Sequence, residues 1–368
     1  MRLTFHRSIC MIWVILIIVA LVWFSVSYLR GENLRYLDRP PQPSPDTRPS
    51  DAHHAVVEQL RGFARVGEGE SGFGRIKAIR ELMDSIPAGK SYASTFTRVQ
   101  RDGISGEWVQ SPGVDTRRRV LYIHGGAWFA GSPLSHRPVT DKLSQTLNAA
   151  VFALDYRLLP EYRRIDGIVD SREGYRWILH NGPEDAEPPD FLLVAGDSAG
   201  GSLTLDVIAW ARDSGLRMPD AAVALSPSTD TTMTSPSLRD NIETDPMLGP
   251  AFAKLVKVPT PVLWWYYWFS WRIPPRDPRV SPLRGNLEKL PPVLIIASEA
   301  EMLIDDARRY AAKAQAAGSP VQLQTWPHMV HVWPMFTPEL PEAEEAYANI
   351  AEFVAALEMP KQVQAGSA

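Results

Sequence analysis

Short apolar runs recur down the chain with helical patterns between them, and no other feature narrows the choice of fold as far. The runs are RRVLYIH (118–124), AAVFALDY (149–156), FLLVAG (191–196), AAVALS (221–226), PVLIIAS (292–298) and VQLQTWP (321–327). Each has the length of a strand. Most are apolar at successive rather than alternate positions, the pattern of strands covered on both faces. Between most of them lie helical patterns: RPVTDKLSQTLN (137–148), VDSREGYRWILHN (169–181), AGGSLTLDVIAWARDSG (199–215) and LIDDARRYAAKAQAAG (303–318). This alternation predicts an α/β domain with a mostly parallel sheet and helices on both faces.

Upstream of the first run, HHAVVEQLRGFARV (53–66) and GRIKAIRELMDSI (74–86) place apolar residues at i, i+3 and i+4. Pro87-Ala88-Gly89 closes the second. These segments predict a helical cap over about 51–100, within a folded domain over 51–360. Residues 39–50, RPPQPSPDTRPS, are rich in proline and nearly free of apolar side chains. They read as the extended part of a linker over 31–50.

Residues 9–29, ICMIWVILIIVALVWFSVSYL, carry no charge. As a helix they reach across a hydrocarbon core of about 30 Å, so residues 1–30 are expected to form a transmembrane anchor that contacts membrane lipid. A cleaved secretory leader is the alternative, with Ser25-Val26-Ser27 as a small-x-small site, but the apolar run is longer than leader cores. Arg2 and Arg7 precede the run and Arg30, Arg35 and Arg39 follow it, so charge does not set the orientation. A short tail inside and the large folded domain on the non-cytoplasmic side are expected.

The net charge of −4 gives no reason to expect a nucleic-acid partner. Cys10 is the only cysteine, which excludes an intramolecular disulfide framework and a cysteine metal site. The histidines show no ligand spacing, so neither a metal nor a cofactor is expected.

Chemistry concentrates in FLLVAGDSAGGSL (191–203), where an apolar run meets G-x-S-x-G and then a helical pattern. A serine on such a sharp turn is exposed at the C-terminal edge of a sheet, above a helix N-terminus. Ser198 is therefore the candidate nucleophile, and the N–H of Ala199 points at any oxyanion formed there. A glycine-rich turn with a passive serine is the alternative. In LYIHGGAWFAGS (121–132), Gly125 and Gly126 leave backbone N–H groups free to face a ligand. With Ala199 they make a candidate oxyanion hole. His124 suits a structural role, bonding backbone to hold the loop.

HGGAW, DYRLLPE (155–161) and GDSAGG, in that order and at this spacing, resemble the hormone-sensitive-lipase-like branch of the α/β-hydrolases, in particular its bacterial carboxylesterases. The resemblance runs from about Gly103 to Phe336. It implies an α/β-hydrolase fold with an eight-stranded, mostly parallel sheet, an N-terminal helical cap, and hydrolysis of short acyl esters. The chain departs from the family after DYRLLPE, where a Pro-Phe-Pro-like turn is usual and YRRIDGIVD stands instead; the stretch before RDPRVSPL is also unusual.

A nucleophilic serine needs a base, and this fold orders its triad Ser, acid, His. TWPHMVHVWPMF offers His328 and His331; the family places its base in a stretch like MVHVW, which favours His331. The acid is expected in ASEAEMLIDDAR (297–308), after PVLIIAS. The family's D-x-L-x-D pattern there matches Glu301-Met302-Leu303-Ile304-Asp305 with Glu for Asp, which makes Glu301 the third member. Glu299 is the runner-up, and Asp305 and Asp306 fit the first turn of a helix.

LWWYYWFSW (263–271) has seven aromatic residues in nine positions. These rings wall an acyl pocket or lie at a membrane interface. The reading as a whole is a serine esterase acting on short- to medium-chain acyl esters. An amidase or deacetylase on the same triad, a long-chain lipase at the membrane, and a non-catalytic receptor are the alternatives.

Overall fold

The computed structural model describes residues 2–39, 48–63, 66, 67, 69, 70, 72–184 and 186–359, with only the backbone over 2–10. Its sheet has eight strands in the order β1-β2-β4-β3-β5-β6-β7-β8. They are β1 (Thr95–Arg101), β2 (Ile104–Gln110), β3 (Asp115–Ile123), β4 (Ala149–Leu154), β5 (Phe191–Asp197), β6 (Ala221–Leu225), β7 (Val293–Ser298) and β8 (Val321–Trp326). Only β2 runs antiparallel to its neighbours, β1 and β4; the other pairings are parallel.

The apolar runs of the sequence are β3 to β8. The central ones are buried at every position because helices cover both faces. The helices are α1 (Arg2–Phe24), α2 (Asp51–Phe63), α3 (Phe73–Ser85), α4 (Arg137–Leu147), α5 (Arg164–Ile178), α6 (Ser198–Asp213), α7 (Ser237–Asp240), α8 (Leu248–Phe252), α9 (Thr260–Trp271), α10 (Ile304–Ala316) and α11 (Pro341–Glu358). Alternation along β3 divides the core. Leu121 and Ile123 pack with Ile168 of α5, Leu203 of α6 and Ile304 of α10. Val120 and Tyr122 pack on the other face with Leu60 of α2, Leu143 of α4 and Ile350 of α11.

The N-terminal cap is α2 and α3. Ser50, just ahead of α2, donates from its N–H and hydroxyl to the Glu342 carboxylate on α11. Arg80 of α3 donates to the carbonyls of Phe129 and Leu159 and pairs with Glu161. A second helical excursion, α7 to α9, lies between β6 and β7.

α1 continues in wider, π-type turns through Ser25–Arg30. The stretch after it does not hang free. Leu29, Leu34 and Leu37 are buried, and Asp38 pairs with Arg309 of α10 at 2.6 Å. The first part of the expected linker is thus packed on the domain, and residues 40–47, most of its proline-rich part, lie outside the described residues.

Candidate active site

β5 ends at Asp197 and α6 begins at Ser198, so strand turns into helix without a loop. Ser198 has φ +50°, a conformation that costs a non-glycine residue roughly 1–2 kcal/mol and that the surrounding backbone must hold. The neighbours have to be glycines. A Cβ at Gly200 would stand 1.9 Å from the Ile123 carbonyl oxygen, and one at Gly196 2.5 Å from the same atom. The turn therefore lies tight against the end of β3 and presents the serine hydroxyl above the sheet.

His331 lies after β8, between Val330 and Val332. Its Nε2 is 2.9 Å from Ser198 Oγ, and its Nδ1 is 3.0 Å from Glu301 Oε2. Glu301 is fully buried, and its other oxygen accepts the Ser298 N–H at 3.3 Å. Three residues far apart in sequence thus meet in one hydrogen-bonded line at the ends of β5, β7 and β8. Burial pulls the His331 imidazole down, but the hydrogen bond and charge of Glu301 outweigh it and raise its pKa above 6.5. Burial pushes the Glu301 carboxyl up, opposed by His331.

The alternative residues are engaged elsewhere or stand apart. His328 is exposed. Glu299 pairs with Arg308, and Asp305 bonds both Arg308 and the Ser237 N–H. Asp306 is buried and accepts the N–H groups of Thr229 and Asp230.

The loop after β3 corrects one expectation. Gly125 donates its N–H to Asp197 Oδ1 at 2.9 Å, so that donor is already engaged and does not face a ligand. A glycine is still required there, because a Cβ would meet the other Asp197 oxygen at 2.1 Å. Asp197 also accepts the Tyr122 hydroxyl at 2.6 Å, which makes it the tie between loop and elbow. Gly126 and Ala127 follow with φ +107° and +52°, and among the described residues their N–H groups have no protein acceptor. The Ala199 N–H is in the first turn of α6, where no intrahelical acceptor exists. His124 is buried, stacks on Tyr156 and donates from Nδ1 to the Gly125 carbonyl at 2.8 Å. Burial lowers its pKa to about 3, so it stays neutral.

A sequence profile of the alpha/beta hydrolase fold matches residues 120–335. An acetyl-hydrolase from Streptomyces hygroscopicus is 36% identical over 248 residues, 67% of this chain and 78% of that protein. An esterase from Acinetobacter venetianus is 34% identical over 261 residues, 70% of this chain and 80% of that protein. The crystal structure of an esterase from the bacterial hormone-sensitive lipase family superposes with a TM-score of 0.72 at 30% identity, covering 83% of this chain and 98% of that one. The chain belongs to the α/β-hydrolase family. It is an enzyme of the carboxylesterase type, like the bacterial hormone-sensitive-lipase relatives it matches.

Sequence motifs of this hydrolase do not reveal what holds Glu301 in place. Asn241 Nδ2 donates to the carbonyls of Glu299 and Glu301, and the Thr244 hydroxyl to that of Ala300. Buried Asp245 accepts the Met302 N–H at 3.0 Å with one oxygen and the N–H groups of Met247 and Leu248 with the other. The only signal was the polar character of RDNIETD (239–245), which any solvated loop shares.

The departure after DYRLLPE is also resolved. Arg164 opens α5, is buried, and places its guanidinium 4.4 Å from the Trp128 ring centroid. Burial lowers its pKa to about 10, so it remains charged near neutrality. The aromatic block is α9. Leu263, Trp264 and Tyr267 face the domain, while Val262, Tyr266 and Phe269 are exposed.

Proposed function

We propose that this hydrolase is a serine carboxylesterase of short- to medium-chain acyl esters, held to a membrane by α1. The observation that carries the proposal is the His331 ring standing 2.9 Å from Ser198 Oγ and 3.0 Å from buried Glu301. In this reading His331 Nε2 takes the Ser198 proton as Oγ attacks the ester carbonyl. Glu301 accepts from Nδ1–H and stabilises the imidazolium without itself being protonated. The developing oxyanion is received by the N–H groups of Gly126, Ala127 and Ala199. His331 then protonates the leaving alkoxide. In the second half it takes a proton from water, the hydroxide attacks the acyl-enzyme, and the proton returns to Ser198 as the acid leaves. The name of one relative, an acetyl-hydrolase, favours a small acyl group.

The anchor is supported by Met11–Leu37, the described helical stretch long and apolar enough to cross a bilayer. Its side chains from Met11 to Trp23 are largely exposed, and water is a poor solvent for so large an apolar surface.

The test is hydrolysis of p-nitrophenyl esters of graded acyl length by the full chain in detergent, beside Ser198→Ala and Glu301→Ala. The proposal expects a short- or medium-chain optimum, loss of about 10⁴-fold or more in kcat for Ser198→Ala, and a large loss for Glu301→Ala. Activity in Ser198→Ala, or an inert wild type, overturns it. Extraction of membranes with alkaline carbonate tests the anchor, which is expected to stay with the lipid.

A further inference from the structure

The end of the apolar N-terminal helix is built into the catalytic domain, and the element it packs on is α9. Phe24 lies 5.3 Å and 5.2 Å, centroid to centroid, from Trp265 and Trp268. Tyr28 meets Trp268 edge-on. Trp265 Nε1 donates to Ser25 Oγ at 2.8 Å, and Arg276, just beyond α9, donates its N–H to the Leu29 carbonyl. Arg284 donates to the carbonyls of Arg30 and Glu32, and Leu34 and Leu37 enter the core. A helix so fixed sets the orientation of the domain it carries.

α9 has three sides. One packs on Phe24 and Tyr28. A second leads to the active site: Tyr267 stacks on Trp271 at 4.5 Å, and Trp271 meets Trp128 edge-on at 6.1 Å. Trp128 directly follows Gly125-Gly126-Ala127, the loop beside Ser198. The third side faces outward among the described residues, and its large side chains are apolar or aromatic. Val262, Tyr266 and Phe269 are 56%, 60% and 55% exposed. That face is continuous with the exposed apolar surface of α1, through Phe24 and the half-buried Trp265 and Trp268. Tyrosine and tryptophan are the side chains that settle at the headgroup level of a bilayer.

We infer that α9 is immersed in the bilayer interface beside the anchor, and that the enzyme draws its substrates, esters dissolved in the membrane, from lipid along the Trp271–Trp128 side of that helix. The inference rests on the anchor and esterase readings above. A bilayer is the occupant, because the exposed face of α9 continues the apolar surface of α1 without a break. A second copy of the chain is the competing occupant.

The experiment uses the full chain in phosphatidylcholine vesicles and two butyrate esters. Hexadecyl butyrate dissolves in the bilayer; p-nitrophenyl butyrate reaches the site from water. The acyl group is the same, so the serine chemistry is held constant. Val262→Ser/Tyr266→Ser/Phe269→Ser is expected to lose about tenfold on hexadecyl butyrate. It should keep p-nitrophenyl butyrate turnover within about twofold, which also shows that it is folded. Equal effects on the two esters, or no effect on the first, overturn the inference.

A second readout is independent of catalysis. In a Cys10→Ser background, an environment-sensitive fluorophore on Tyr266→Cys should show blue-shifted emission and quenching by nitroxide lipids. The same label on Glu352→Cys, on α11 across the sheet, should not. Water-like emission at 266 overturns the inference, as does a blue shift there that nitroxide lipids do not quench and dilution abolishes, which marks a second copy. Release from vesicles by carbonate removes the anchor reading and this inference with it. A lipid-quenched label together with inertness on both esters removes the esterase reading and leaves the immersed helix standing.

Discussion

Asn241 Nδ2 stands 2.9 Å from the carbonyl oxygen of Glu301, so the backbone of the proposed triad acid is gripped from the excursion between β6 and β7. Asp245, one helical turn further on, grips the next residue through the Met302 N–H. A glutamate has one more torsion than the aspartate usual in its relatives, and so more freedom to lose. Clamping its backbone on both sides, while Ser298 holds one carboxylate oxygen, removes that freedom.

The clamp makes a prediction about positioning. Asn241→Ala and Asp245→Asn are expected to lower kcat by about 10- to 100-fold, the scale of a small misplacement at a reacting group, with KM for p-nitrophenyl butyrate nearly unchanged. In Asp245→Asn the acid limb of the pH profile should also move down, because Asp245 helps to hold the His331 proton. A variant that loses thermal stability but keeps kcat and its pH profile would show that the clamp is structural alone.

Much of this site is legible in the sequence because its constraints are local. Gly196-Asp197-Ser198-Ala199-Gly200 follows an apolar run and precedes a helix, and the strand-to-helix turn lies there. Chain order and family pattern name His331 and Glu301, and the fold brings the His331 ring within hydrogen-bond reach of both Ser198 and Glu301. What is not legible is non-local. Nothing near Gly125 announces that its N–H is engaged by a carboxylate 72 positions away. β1 and β2 escape the periodicity reading because β1 is an edge strand with mostly exposed, polar residues, and β2 holds Gly106, where a Cβ would strike the Ala153 carbonyl of β4. The packing of residues 29–38 is hidden because isolated leucines in a polar stretch read as loop.

In the proposed mechanism the acid limb of kcat/KM reports the proton on His331, since only the neutral ring acts as base. Burial alone would lower that pKa; Glu301 reverses the sign and raises it above 6.5. Activity should therefore be low in acid and rise with pH through a midpoint above 6.5. Glu301→Gln keeps the burial and removes the charge, so its midpoint should fall while its plateau drops. Initial rates on p-nitrophenyl acetate, corrected for spontaneous hydrolysis, measure both limbs. A midpoint in Glu301→Gln equal to or above that of the wild type would remove Glu301 from the relay.

Arg164 is a buried cation whose Nε and Nη2 meet no acceptor among the described residues. Its compensation is the Trp128 ring, worth about 2 kcal/mol when desolvated, and the charge of buried Asp206, which is already paired with Arg172, against a burial penalty of several kcal/mol per ion. Relatives usually carry a Pro-Phe-Pro-like turn here. Arg164→Phe is accordingly expected to raise Tm by a few degrees in a thermal melt, by replacing an unsatisfied charge with an aromatic side chain on the same indole. A fall in Tm would mean that the cation–π contact outweighs the burial.

The segment that joins the apolar helix to the domain should matter to folding as well as to placement. Leu29, Leu34 and Leu37 are each buried, and burying a leucine contributes roughly 1.5–3 kcal/mol. Together they supply about 5 kcal/mol or more. Arg309 is itself buried, and removal of Asp38 leaves its guanidinium without its carboxylate. A chain beginning at Ser25 should retain these contacts, whereas one beginning at Arg48 should not. The shorter chain is expected to melt about 8 °C or more lower, at about 1.5 °C per kcal/mol for a domain of roughly 300 residues, or to aggregate on expression. Esterase activity per folded molecule should stay comparable in the two, because Ser198, Glu301 and His331, the proposed triad, all lie in the part that both retain. Equal melting temperatures would show that residues 25–38 rest on the domain without stabilising it.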